Sequence, residues 1–226
     1  MGQAIGDSLP SAVGVAISPL PIVAVVLMLV TPRGRSNGPL FVVGWWIGLA
    51  LVGTIVLAVA GGIDATSSSS GPATWVDILL LLLGLALVLL SLNQWRGRPH
   101  GDEDTPTPKW MGALDAFTPV KAVGAGVVLS ALNPKNLLLT VAGAAAIAQT
   151  GISTGSQIGA FIVFVAIASL GVAAPVVIYF ALGDQSGPML AKLKSWLTRN
   201  NAVIMATLLV IIGVKLIGEA ISGLST

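Results

Sequence analysis

The chain has 226 residues, 55% of them hydrophobic and 9% charged, with a mean hydropathy of +0.94. A soluble domain carries about 25% charged residues, so this composition excludes an ordinary water-soluble fold and places the chain in lipid. Zero cysteines and a single histidine, His100, exclude disulfides and thiolate or multi-histidine metal sites, and the net charge of +2 is scattered over short loops rather than gathered into a nucleic-acid-binding stripe.

The first residues, Met1 to Ser8, hold Asp7 and no Lys or Arg, so they lack the basic n-region of a cleaved signal, and the first span is expected to be retained. Six apolar segments of span length follow: Leu9 to Val30, Leu40 to Gly61, Thr74 to Leu92, Ala122 to Ala148, Ile158 to Leu182 and Ala202 to Ile221. The first, third and fifth connections hold nine of the 11 bases: Arg33 and Arg35, then Arg96, Arg98, Lys109 and Lys121, then Lys192, Lys194 and Arg199. By the positive-inside rule these loops are cytoplasmic and both termini are outside. Lys135 and Lys215, the other two bases, lie inside spans.

The second connection carries a polar tract, Thr66 to Gly71, expected to be a flexible external loop. The third, the longest, joins Asp102, Glu103 and Asp104 to Pro106 and Pro108, then places Trp110, Leu114 and Phe117 at i, i+4 and i+7. That spacing suits a short interfacial helix, and equally a linker anchored by its aromatics. In the fifth span Gly159, Ala166, Gly171 and Ala174 permit close helix packing, within one chain or in a homodimer.

Three spans per half require the second half to lie inverted relative to the first. Gly14 to Ile22 aligns without gaps on Gly126 to Pro134, and both stretches open a half. Both also break: Ser18-Pro19-Leu20-Pro21 interrupts the first span and Asn133-Pro134-Lys135-Asn136 the fourth. Proline removes a helical hydrogen bond, and in lipid such a break survives only where it is buried in protein or lines a wet cavity. Paired breaks in inverted repeats point to a transport site.

At the second break, Pro134 frees a carbonyl near Ser130, Asn133 and Asn136 offer amides, and Lys135 offers a cation to an anionic group. At the first, Ser18, Pro19 and Pro21 offer a hydroxyl and released carbonyls, suited to a cation, a proton relay or a sugar hydroxyl. Lys215 and Glu219, four apart in the last span, form either a self-neutralising pair at the rim or, with Lys215 beside Lys135, a second cation for phosphate or sulfate. No nucleophile–base set and no phosphate-cradling glycine motif is present, so neither an enzyme nor an ATP-driven pump is expected, and no cofactor or metal is implied.

Six spans with Ser18-Pro19-Leu20-Pro21 in the first and Leu132-Asn133-Pro134-Lys135-Asn136 in the fourth resemble the lysine-exporter (LysE-type) superfamily. Within it the chain is most similar to the small actinobacterial glycopeptidolipid- or sulfolipid-addressing (GAP/Sap) membrane proteins. The resemblance implies a 3+3 inverted repeat and export of cell-envelope glycolipids, and carries over to Pro19, Pro21, Asn133, Pro134 and Lys135.

The expectation is therefore an all-α integral membrane protein: six transmembrane helices in one domain over 1–226, a 3+3 inverted repeat with broken first and fourth helices and both termini outside. Repeat one covers about 1–93, a cytoplasmic linker about 94–121, and repeat two about 122–226. The expected function is secondary-type transport, exporting or flipping an anionic lipid or envelope glycolipid across a bacterial plasma membrane. The alternatives are export of an amino acid or metal ion, and a non-transporting scaffold for envelope-lipid export. The partners implied are a membrane lipid or lipid-linked glycan and envelope-lipid biosynthesis or export proteins, with no nucleic acid.

Overall fold

In the computed structural model, residues 1–64, 74–97 and 117–225 are described. Among them every regular element is helical: α1 (Gly2–Ala16), α2 (Pro19–Leu29), α3 (Gly34–Asp64), α4 (Thr74–Arg96), α5 (Pro119–Val127), α6 (Pro134–Gln149), α7 (Thr154–Ala168), α8 (Leu170–Leu182) and α9 (Ser186–Leu224). A π turn, Val128–Leu132, ends α5. The tract from Thr66 to Gly71, His100, the acidic cluster, Trp110 and Leu114 lie outside the described residues.

Three helices are long and apolar enough to cross a membrane, and six spans result if each of three bent pairs is one span. The bends are 50° between α1 and α2, 64° between α5 and α6, and 55° between α7 and α8. The first two coincide with the proline breaks read from the sequence. The third was not expected: Pro175 inside α8 lacks the amide that would pair with the Gly171 carbonyl, Trp46 Nε1 donates to Ser169 Oγ at 3.0 Å, and a β-carbon on Gly171 would collide with the Ala16 carbonyl. The fifth span thus bends around the break in the first.

One boundary also differs. The last span was expected to start at Ala202 after a basic loop, yet α9 runs unbroken from Ser186. Leu190 and Leu197 are buried on that extension, so the basic residues between them ride on a helix anchored by its apolar side.

The helix ends divide the bundle into two faces. The α2–α3 turn, the end of α4 and the starts of α5 and α9 carry Arg33, Arg35, Arg96, Lys121 and Lys192, and form a basic end. The starts of α1 and α4 and the ends of α6 and α9 bring Asp7, Asp77 and Glu219 around one pocket at the opposite, acidic end.

In lipid the solvent supplies no hydrophobic drive for helix association, so close packing and interhelical hydrogen bonds hold the bundle. The longest seam joins α4 to α9, where Ser91 Oγ donates to the Ala206 carbonyl at 2.7 Å. Such bonds average about 0.6 kcal/mol in membranes, which leaves most of the stabilisation to packing. Around the breaks the packing is uneven. α1 lies along α6, whereas α2 rests on α3, α8 and α9 and barely touches α5. Of the small residues in the fifth span, Gly159 meets Met1 and Gly171 meets Ala16 within the chain, while Ala166 and Ala174 face outward.

Candidate functional site

The break in the first span follows from the missing amides of Pro19 and Pro21. α1 ends at Ala16, Ser18 is extended (φ −103°, ψ 101°), and α2 starts at Pro19. At the first helical position a proline costs nothing, because that amide would be unpaired anyway. Pro21, at the third helical position, likewise lacks an amide that the helix start would leave unpaired, and Ile22 is the first to close a helical bond, onto the Ser18 carbonyl at 3.3 Å.

The fourth span breaks by the same chemistry. Asn133 is extended (φ −68°, ψ 118°) and its Oδ1 accepts from the Lys135 amide at 3.2 Å, capping α6, which starts at Pro134. Before it, the π turn widens the helix, and Asn136 Nδ2 donates to the Leu129 carbonyl at 2.9 Å. Asn136 is fully buried and its Oδ1 has no partner.

One bond joins the breaks. Lys135 Nζ donates to the Ile17 carbonyl at 3.3 Å, so the ammonium takes up a carbonyl left over where α1 ends. Lys135 is 7% exposed, and among the described residues no carboxylate pairs with it. A cation within a span costs about 2.5–3.5 kcal/mol, and a single neutral carbonyl offsets only part of that.

Lys135, Asn133 and Ser18 line a cavity of about 290 Å³ together with Gln94 from α4 and Asn201 from α9. The N-terminal ends of α2 and α6 both open onto it. Unpaired amides give a helix start about half a positive charge, so two helix starts and one ammonium converge on a chamber lined otherwise by amides, a hydroxyl and apolar groups. The chamber suits an anion that also needs hydrogen-bonding partners.

The first break was expected to release carbonyls toward a ligand. Instead its Ile17 carbonyl is held by Lys135, and its contribution to the chamber is the start of α2 with Ser18. Pro19 and Pro21 are buried and shape the break, while Pro134 lines the chamber. Ser130 is not in the lining: its Oγ turns back onto the Gly126 carbonyl at 2.8 Å and packs against Gly48. Asn136 supports the break from behind.

Lys215 does not join Lys135. Its Nζ donates to Glu219 Oε1 at 2.5 Å and to the Asp7 carbonyl at 3.1 Å. Glu219 lines the pocket at the acidic end, where Asp77 accepts from Gln149 Nε2 at 2.8 Å. Gln94 and Asn201, which complete the chamber, were not singled out from the sequence. The available signal was an uncharged amide close to each end of an otherwise apolar span.

No curated protein and no solved structure matches the chain. A family model, described as "Sap, sulfolipid-1-addressing protein", matches residues 9–222 and so covers both breaks, the chamber and the Lys215–Glu219 pair. This multi-pass helical membrane protein belongs to the Sap, sulfolipid-1-addressing protein family.

Proposed function

We propose that the protein is a secondary-type transporter that moves an anionic envelope lipid or glycolipid from the cytoplasmic to the outer leaflet of a bacterial plasma membrane. In this reading the six spans form a 3+3 inverted repeat with the basic end cytoplasmic and the termini outside, as in the LysE-type superfamily that its motifs resemble. The observation that carries it is the Lys135 ammonium, buried at the junction of two broken spans with a backbone carbonyl and no carboxylate for company.

An anionic headgroup competes with the Ile17 carbonyl for the ammonium and gains the positive dipole ends of α2 and α6 beside it. Once Lys135 lets go of Ile17, the direct hydrogen bond between the two breaks is gone, and the helix halves on either side can swing about Ser18 and Asn133. The packing asymmetry supports alternating access: α1 is closed on α6 while α2 and α5 stand apart. The family's description supports an envelope lipid as cargo over an amino acid or metal ion.

The test is reconstitution in phosphatidylcholine vesicles doped with fluorescent phosphatidylglycerol or a sulfated glycolipid, with leaflet exchange followed by quenching. Wild-type protein is expected to accelerate exchange. Lys135→Ala should lose the charged contact, about 1.5–3 kcal/mol or roughly 10- to 100-fold in headgroup affinity, with helicity unchanged. Equal exchange by both proteins overturns the mechanism. The word "addressing" in the family description favours a second reading, a non-transporting scaffold for a lipid-export assembly. It predicts no exchange by the pure wild-type protein and recovery of exchange when its membrane partner is co-reconstituted.

A further inference from the structure

The gap between α2 and α5 is lined on one side by Leu20, Ala24 and Met28, one face of α2 at intervals of four, and on the other by Ala125, Val128 and Leu129 of α5 and the π turn. It encloses about 220 Å³ and is almost wholly apolar. Phe117 closes it at the basic end, its carbonyl held by Asn37 Nδ2 at 3.0 Å. At the other extreme Leu20 belongs to both this cleft and the Lys135 chamber.

We propose that the α2–α5 cleft is the alkyl-chain subsite of the transport site: it receives one acyl chain of the amphiphile whose anionic group lies at Lys135. The inference rests on the lipid reading above and specifies the substrate as an anion bearing at least one long alkyl chain. Two observations select that occupant. Leu20 lines both the cleft and the chamber, so the two adjoin along α2 and one molecule with a polar and an apolar part is placed to reach both. Its length also fits: Leu20 to Met28 rises about 12 Å along the helix, most of the roughly 15 Å depth of one leaflet's hydrocarbon.

A small solute would use the chamber alone and leave the cleft without a task. An apolar void of this size between helices is costly unless filled, and half-exposed Val128 on its wall shows that a chain can enter from the side. Lipid tails around the bundle are as apolar as the cleft, so the subsite gains little from transfer itself. What it contributes is orientation: a chain lodged along α2 and α5 holds the headgroup at the chamber instead of letting it diffuse in the leaflet plane.

The experiment uses the full chain in phosphatidylcholine vesicles doped with phosphatidylglycerol that carries a diazirine on one acyl chain, with adducts located by mass spectrometry after illumination. Adducts are expected on Leu20, Met28 and Val128. Val128→Trp, which fills the cleft from its open wall, should reduce them several-fold, while Val120→Trp, on the same helix but outside the cleft, should not. Dihexanoyl phosphatidylglycerol should compete far less well than the long-chain lipid. Adducts spread evenly over all lipid-facing helices, or unchanged by Val128→Trp, overturn the subsite even if Lys135-dependent exchange stands. Cleft adducts that Val128→Trp removes but Lys135→Ala leaves intact keep the chain subsite and overturn the headgroup assignment instead.

Discussion

The α1–α6 seam and the α2–α5 cleft involve the two halves of the same two broken spans, yet one is packed and the other parted. Under the proposed inverted repeat, α1 corresponds to α5 and α6 to α2, so these are one contact seen twice, once shut and once open. A single conformation then displays both states of an alternating-access cycle. Closure at the acidic end is the pattern that the basic end should adopt after exchange.

Joining the parted pair gives the largest expected effect. In this cysteine-free chain, Ala24→Cys with Ala125→Cys forms a disulfide only if α2 and α5 approach to within about 7 Å. Oxidation during turnover should trap that approach and reduce lipid exchange to that of empty vesicles. Failure to cross-link under any condition breaks the symmetry between seam and cleft.

Wedging the packed pair comes next. At Gly14 a β-carbon would lie 2.9 Å from Leu139 Cδ1 and 2.5 Å from Ile212 Cδ1. Gly14→Leu therefore overpacks the seam, with an expected loss of about 1–3 kcal/mol in unfolding stability. It should also raise maleimide labelling of Leu139→Cys, which is buried in the parent. Unchanged labelling would mean that the seam does not open where α1 meets α6.

A smaller change is expected at the hinge. Asn136→Ala removes the donor to the Leu129 carbonyl, costs about 1 kcal/mol, and should loosen the π turn on the cleft's wall, read as a lower melting temperature in detergent micelles. The smallest belongs to the pair outside both regions. Lys215 and Glu219 are 34% and 33% exposed, and such pairs contribute about 1 kcal/mol or less. Glu219→Gln should leave lipid exchange intact. A loss as large as that of Lys135→Ala would put the pair in the substrate's path.

Much of this arrangement was legible in the sequence because proline and lysine are conspicuous in lipid. Pro19, Pro21 and Pro134 mark two of the three bends, and Lys135 marks the chamber. The bend at Ser169 was missed although Pro175 in the same span was as visible as the other prolines, and the contacts that accompany it, Gly171 against Ala16 and Trp46 against Ser169, join spans distant in the chain. Nor could spacing along a helix place Lys215. It allowed either a pair at the rim or a second cation beside Lys135, and the structure holds Lys215 toward the acidic end by Glu219 and the Asp7 carbonyl. Gln94 and Asn201 were hidden because an amide at a span's end is ordinary until four helices bring two of them together.

The bond between the breaks also carries a consequence for genetics. Its acceptor is the main-chain carbonyl of Ile17, which every residue at that position supplies, so no substitution there removes it. A screen for loss of function should therefore return position 135 far more readily than position 17, although the bond has one end in each half of the gene.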